Sequence, residues 1–130
     1  MVARSALAMI AVQRNETEAA KEQYHAIEPH KRTGCFIIPF TFDRILANLA
    51  ITLGNVDTAI THYEDGLTFC DRAGYRPEHA WTACDYADAL LVRDRPGDRE
   101  KAAASQKAAL KTARELEMRP LIERILDPRN

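Results

Sequence analysis

The sequence predicts an all-α fold built from paired helices, and three features support this prediction. Residues that interrupt helices, chiefly Gly, Pro and Asn, recur at intervals along the 130 residues. Between them lie segments of about ten to twenty residues in which apolar side chains recur at helical spacing. No comparable segment alternates as a half-buried strand does. Only residues 35–38 could be extended, and they lie in a long loop between Pro29 and Pro39.

Composition and charge indicate one globular domain, residues 1–130. Apolar residues make up 46% and charged residues 28% of the chain, as in soluble proteins. The formal net charge is −1, so we expect no direct binding to nucleic acid or to an anionic membrane surface. No apolar run approaches the roughly 18 residues of a membrane span. The three widely spaced cysteines show no metal-ligand spacing and suit a reducing cytoplasm, which is the predicted location: Cys35, Cys70 and Cys84.

The first two predicted helix pairs occupy about residues 1–29 and 40–74. Asn15 marks the turn within the first pair, where its side chain can cap the second helix. Gly54 and Gly74 suit the left-handed position that ends a helix. A long loop separates the two pairs.

The third predicted pair occupies about residues 77–117, and a short helix follows over about residues 119–127. Pro77 fits a first helical turn, where its missing N–H costs nothing. Asp98 can cap the second helix of this pair. The short helix has an apolar face that would cap the third pair, formed by Leu121, Ile122, Ile125 and Leu126.

The pairs also repeat in register. Ala20, Ala59 and Ala102 recur at a spacing of about 40 residues on the second helix of each pair. Two antiparallel helices approach closely only where one of them presents little bulk, so these alanines are predicted to be buried. Tyr24 and Tyr63 follow one turn later and would fill the wider gap beside them.

This layout resembles the tetratricopeptide repeat, in which Leu and a small residue precede a turn, and Ala and an aromatic residue follow it. A more specific resemblance covers residues 45–126. It is to the C-terminal tetratricopeptide-like array of large bacterial signalling ATPases, which carry a nucleotide-cyclase or LuxR-type DNA-binding domain. The resemblance implies a right-handed superhelix of about three helix pairs with a capping helix, used as a regulatory array. Four strings carry it: Leu49–Gly54, Asp85–Leu91, Arg95–Ala102 and Thr112–Met118.

The chain lacks familiar catalytic signatures: no P-loop, GxGxxG, HExxH or GxSxG motif occurs. The sequence therefore predicts a non-catalytic protein-binding or scaffolding module, without cofactor or metal, whose partner is a protein or peptide. The alternative is a small-ligand-sensing segment of a nucleotide-cyclase or ATPase polypeptide. A pocket of convergent polar groups between the helix pairs would favour that alternative.

Arg44 and Asn48 are the candidate groove residues. They lie one turn apart on the third predicted helix, away from its apolar face. Peptide-binding tetratricopeptide domains that clamp a C-terminal carboxylate carry a basic residue and an Asn at such positions, and these side chains suit a carboxylate and a peptide group. The corresponding residues of the first pair, Ser5 and Met9, do not complete a clamp, so an ordinary solvated face is the other interpretation.

His62 lies beside Glu64 and Asp65, which could indicate acid–base chemistry or a metal site. Neighbouring residues on a helix point in different directions, however, and Tyr63 takes the core-facing position. A solvated face is therefore the expected position of His62.

Three other side chains are expected to serve packing. Cys70 and Cys84 fall on apolar stripes and should pack as small hydrophobes. Trp81 is expected in the core, with a binding anchor in the groove as the alternative.

The first helix presents more apolar surface than one neighbour can cover. Leu7, Met9 and Ile10 span more than one helical face, so they cannot all turn inward. Each unit of a repeat stack buries only its neighbours. We therefore expect an open N-terminal end, covered by further repeats or by self-association, and a capped C-terminal end.

Overall fold

The computed structural model describes residues 2–31, 36–37 and 40–127. A 3₁₀ turn at Glu28–His30 and two paired antiparallel strands, β1 (Phe36–Ile37) and β2 (Phe40–Thr41), precede the third helix. Apart from this short ladder the described chain is helical, which confirms the prediction of an all-α fold. The extended segment predicted at 35–38 is confirmed for its two central residues; the other two lie outside the described residues. The helices are α1 (Val2–Arg14), α2 (Thr17–Ile27), α3 (Phe42–Thr52), α4 (Val56–Ala73), α5 (Arg76–Arg93), α6 (Asp98–Glu115) and α7 (Arg119–Leu126).

Three of the helix-end residues that the sequence singles out are confirmed, and the cap at a fourth, Thr41, was not predicted. Gly54 (φ 78°) and Gly74 (φ 70°) adopt the left-handed conformation at the ends of α3 and α4. Pro77 lies in the first turn of α5. Thr41 caps α3, because its hydroxyl oxygen accepts a hydrogen bond from the Arg44 N–H at 3.2 Å.

Two predicted caps are wrong. Asn15 takes a left-handed conformation (φ 54°) that ends α1, and the cap position of α2 falls on Glu16, which makes no capping bond through its side chain. Asp98 is the first residue of α6, after Gly97 in the cap position. Its carboxylate accepts a hydrogen bond from the Arg95 N–H at 3.0 Å, so it stabilises the preceding turn and not the first turn of its own helix.

Consecutive helices pack antiparallel from α4 to α6. Arg76 at the start of α5 pairs with Glu115 at the end of α6. Arg93 at the end of α5 pairs with Asp98 at the start of α6, at 2.7 Å, and with Asp57 at the start of α4, at 3.5 Å. In the rest of the chain α1 and α2 pack on each other and on α3, α3 packs on α4, and α7 packs on α6.

Small side chains let these helices approach closely. Ala20, Ala59 and Ala102 are each at most 1% exposed, which confirms their predicted burial. Tyr63 is 2% exposed and packs with Ala59 in the central part of the core. Gly66 serves the same purpose, because a Cβ added to it would lie 3.3 Å from the Cβ of Asp43 on α3.

The first and last helices differ in how well their apolar side chains are covered. On α1, Leu7 is 51% and Ile10 is 43% exposed, whereas Met9 is partly buried. On α7, Leu121 is fully buried against α5 and α6. Leu126 was predicted to belong to the same apolar face, but it is 55% exposed because α7 ends there.

Candidate functional site

An open groove of about 330 Å³ runs between α1, α3, α5 and α7. Both candidate groove residues, Arg44 and Asn48, line it. The remaining lining combines apolar side chains from α1, α3 and α5 with carboxylates from α5 and a guanidinium from α7. The full lining is Met9, Val12, Arg44, Asn48, Ile51, Tyr63, Asp85, Asp88, Ala89, Val92 and Arg124.

Arg44 does not lie on a solvated face, contrary to that interpretation of the sequence. It is 5% exposed, and its guanidinium donates to Glu78 Oε1 at 3.2 Å and to Asp85 Oδ2 at 2.8 Å. It also lies 5.5 Å from the centre of the Trp81 ring. The polar face of α3 is thus packed on α5, which supplies acidic partners that the periodicity of α3 alone cannot reveal.

These ion pairs continue through α7. Arg124 Nη2 lies 2.6 Å from Asp85 Oδ1 and 2.9 Å from Asp88 Oδ2. Charges of opposite sign therefore alternate from the interior to the groove surface. We call this series the charge chain: Glu78, Arg44, Asp85, Arg124 and Asp88.

Glu78 is the buried end of the charge chain. It is 1% exposed, and burial raises the pKa of its carboxyl to about 7, although Arg44 and the N–H of Thr41 favour the ionised form. At the other end, burial raises the pKa of Asp88, against the opposing effect of Arg124. The interior end of the chain can therefore gain or lose a proton near neutral pH.

Asn48 offers a fixed amide to the groove. Its Oδ1 accepts a hydrogen bond from the Tyr63 hydroxyl at 2.5 Å. Tyr63 is almost fully buried, and this burial raises the pKa of its hydroxyl, so it stays a donor. Because the oxygen of the amide is occupied, the NH₂ group of Asn48 is the part available to a ligand.

The sequence suggests either a core position or a groove anchor for Trp81, and the structure shows an intermediate position. It is half-buried and packs on the C-terminal part of the core. Arg124 lies 5.9 Å from its ring centre, and Arg44 contacts the same ring. The indole thus supports both arginines of the charge chain through cation–π contacts.

The two described cysteines behave as the sequence predicts. Cys70 and Cys84 are buried, free thiols. Burial raises the pKa of Cys70 to about 12 and that of Cys84 to about 11, so neither is a ready nucleophile. Cys35 lies outside the described residues.

The expectation of a solvated His62 is wrong. His62 is 5% exposed, and its Nε2 lies 2.8 Å from the Tyr24 hydroxyl. The Tyr24 ring of α2 also packs edge-on against the His62 imidazole, with 5.8 Å between the ring centres. Glu64, its predicted acidic neighbour, instead accepts a hydrogen bond from Tyr86 at 3.1 Å.

Sequence reasoning missed the acidic partners of Arg44. Glu78 and Asp85 are seven residues apart, so two full helical turns separate them and they share a face of α5. Two carboxylates on the helix face that also carries the buried Thr82 and Ala89 are the signal that could have indicated a buried cationic partner.

Comparisons with protein families, with curated proteins and with solved structures gave no match. Within the part of the chain that the structure describes, none of the helices combines the length and the apolar character that crossing a membrane requires.

Proposed function

We propose that the chain is a non-catalytic, peptide-binding repeat module of the tetratricopeptide type, with the groove as its binding surface. The pairs α1–α2, α3–α4 and α5–α6 would form the right-handed superhelix, and α7 its cap. The burial of Ala20, Ala59 and Ala102 at corresponding places on α2, α4 and α6 supports this arrangement. The resemblance to arrays of bacterial signalling ATPases gives the proposed context, a cytoplasmic regulatory array.

The groove itself is the observation that carries the proposal. Met9, Ile51 and Val92 would take apolar side chains of an extended peptide. Asn48 would donate from its NH₂ group to a main-chain carbonyl of that peptide. Because Tyr63 fixes the amide before a ligand arrives, little ordering cost is left for the binding step.

The charge chain argues against a clamp for a C-terminal carboxylate. Arg44 is engaged by Glu78 and Asp85, and Arg124 by Asp85 and Asp88. A ligand carboxylate would have to displace one of these partners and would approach the others. We therefore propose recognition along the peptide main chain, independent of a free C-terminus.

Peptides selected on the full chain from a random phage-displayed library provide the test. Asn48→Asp keeps the acceptor for Tyr63 but removes the amide donor, so it should weaken the selected peptides at least tenfold, which is about 1.4 kcal/mol. Arg99→Gln is the control, because Arg99 is exposed on α6 and does not line the groove. Fluorescence anisotropy should also show that amidating the peptide C-terminus leaves affinity within about threefold, about 0.7 kcal/mol.

Selection of no peptide, or of peptides that bind Asn48→Asp as tightly as the wild type, would contradict the proposed groove. Affinity that disappears on amidation would instead indicate a carboxylate clamp and would contradict main-chain recognition.

One observation favours a second candidate function. The groove volume of about 330 Å³ falls within the range of small-molecule sites, and polar groups converge on it. This suits the small-ligand-sensing segment of a nucleotide-cyclase or ATPase polypeptide. A panel of nucleotides and amino acids tests this function by thermal unfolding. It would be supported over peptide binding if one compound raised the melting temperature of the wild type but not of Asn48→Asp, and if the phage library gave no binding peptide.

A further inference from the structure

A second polar cluster lies outside the groove, where α3 and α4 meet. It consists of Asp43 in the first turn of α3 and of His62 and Asp65 on α4. Each side chain contributes one nitrogen or oxygen atom, and the three atoms lie within 4.8 Å of one another. Asp43 is 4% and His62 is 5% exposed, and Asp65 is partly exposed.

We propose that Asp43, His62 and Asp65 bind one first-row divalent metal ion, of the kind represented by Zn²⁺ and Mn²⁺. One imidazole and two carboxylates form a ligand set that suits these ions. A divalent cation would also offset the cost of keeping two carboxylates together in a largely buried position.

The fold brings the three ligands together for identifiable reasons. His62 and Asp65 are three residues apart on α4, so their side chains share one face of the helix. Gly66 lets α4 approach Asp43 more closely than a side chain would allow, since an added Cβ would lie 3.3 Å from the Cβ of Asp43. Sequence reasoning grouped His62 with Glu64 and Asp65 and missed Asp43, which lies on another helix.

The separation of the ligand atoms is close to what one ion requires. Metal–ligand bonds of about 2.0–2.2 Å place ligand atoms roughly 3–4 Å apart. The observed limit of 4.8 Å needs a contraction of about 1 Å, which rotation of the carboxylates can supply. Each of the three residues also takes part in at least one further interaction, so the ion would bind alongside or in exchange for those interactions.

Tyr24 occupies the position of an outer-sphere partner. Its hydroxyl lies 2.8 Å from His62 Nε2, so Nδ1 is the nitrogen that would bind the ion, and the Nε2 proton would be donated to the tyrosine oxygen. A metal-binding imidazole is commonly held in this way through its second nitrogen, which fixes the orientation of the ring and its tautomer. Three protein ligands would leave positions on the ion for water or a further ligand.

Isothermal titration of the full, metal-stripped chain with ZnCl₂ and separately with MnCl₂ tests the proposal. We expect one ion per chain for at least one of the two metals. Asp65→Asn should lower the affinity at least tenfold, and this variant should fold because Asp65 is only partly buried. Tyr24→Phe should keep the stoichiometry and lower the affinity about tenfold, as the loss of outer-sphere partners does.

His79→Ala is the matched control, because His79 forms another His–Asp pair, with Asp71 at 3.3 Å. This variant should bind metal as the wild type does. The absence of saturable binding for both ions would overturn the proposal. Binding that Asp65→Asn leaves unchanged, or that His79→Ala removes, would place the ion elsewhere and would overturn it equally. Circular dichroism of each variant confirms that the fold is kept.

Discussion

Replacing Arg44 with Met removes a buried positive charge and keeps most of the apolar stem, so the substitution tests the charge chain directly. Glu78 is 1% exposed and lies 3.2 Å from the Arg44 guanidinium. Asp85 would keep Arg124 at 2.6 Å, so most of the cost falls on Glu78. Removing one partner of a buried ion pair costs about 3–5 kcal/mol, which is a large share of the stability of a domain of this size.

This cost should depend on pH, because Glu78 can avoid it by binding a proton. Burial already raises the pKa of Glu78 to about 7, and the loss of Arg44 should raise it further. A carboxyl whose pKa is raised on folding holds more protons in the folded state, so the free energy of unfolding falls as pH rises from the unfolded to the folded pKa. The fall ends near pH 7 in the wild type and should continue to higher pH in Arg44→Met.

Urea unfolding followed by circular dichroism at pH 5 and pH 8 measures both effects. The destabilisation by Arg44→Met should be largest at pH 8. Glu78→Gln keeps an acceptor for the Thr41 N–H, and in this background Arg44→Met should cost nearly the same at both pH values. A cost below about 1 kcal/mol at pH 8, no more than an average substitution, would refute the reasoning. So would a cost that is equal at both pH values with Glu78 present.

Three further predictions concern the core, the α5–α6 turn and the surface of α1. Ala59→Leu should lower the free energy of unfolding by about 1–3 kcal/mol through overpacking, and an unchanged urea midpoint would contradict the close helix packing. Hydrogen bonding to Arg93 holds the pKa of Asp98 down to about 2, so the stability that Asp98 contributes is present above its unfolded pKa and is lost as pH falls toward 2. In Asp98→Asn the free energy of unfolding should fall less steeply as the pH is lowered. An unchanged pH dependence would show that the Asp98–Arg93 ion pair is not maintained in solution. Since Leu7 is 51% and Ile10 is 43% exposed, light scattering should show self-association that Ile10→Lys weakens; a monomer at every concentration would rule this out.

The helices were predictable because their signals are local. The spacing of apolar residues located α3, α4 and α5 to within a few residues. Gly54 and Gly74, which end helices, and Pro77, which lies in a first turn, set their bounds. Small residues on α2, α4 and α6 indicated where the helices approach one another. The caps were harder, because Asn15 and Asp98 carry side chains that suit several positions around a helix end, and only the φ angles decide among them.

The candidate site was predictable only in part, because its chemistry depends on contacts between distant residues. Arg44 and Asn48 line one groove, but the periodicity of α3 gave no sign that Arg44 is buried. Its acidic partners lie 34 and 41 residues further along the chain. His62 was misplaced for a related reason: α4 packs on neighbours on several sides, so a position beside the core-facing Tyr63 is also buried.

The charge chain joins helices that are not consecutive, and this determines which parts of the molecule can open separately. A stack whose units touch only their neighbours can lose its units one at a time. Here Arg44 ties α3 to α5 and Arg124 ties α7 to α5. Separating α3 from α5 leaves the buried Glu78 without its counter-charge, and separating α7 removes one of the two cations that hold Asp85. Within the described residues, α1 is held instead by apolar packing through Ala8 and Ala11. In native-state hydrogen exchange the amides of α3, α5 and α7 should therefore exchange together in the global opening, whereas those of α1 should exchange sooner, through a local opening that leaves the rest of the fold intact.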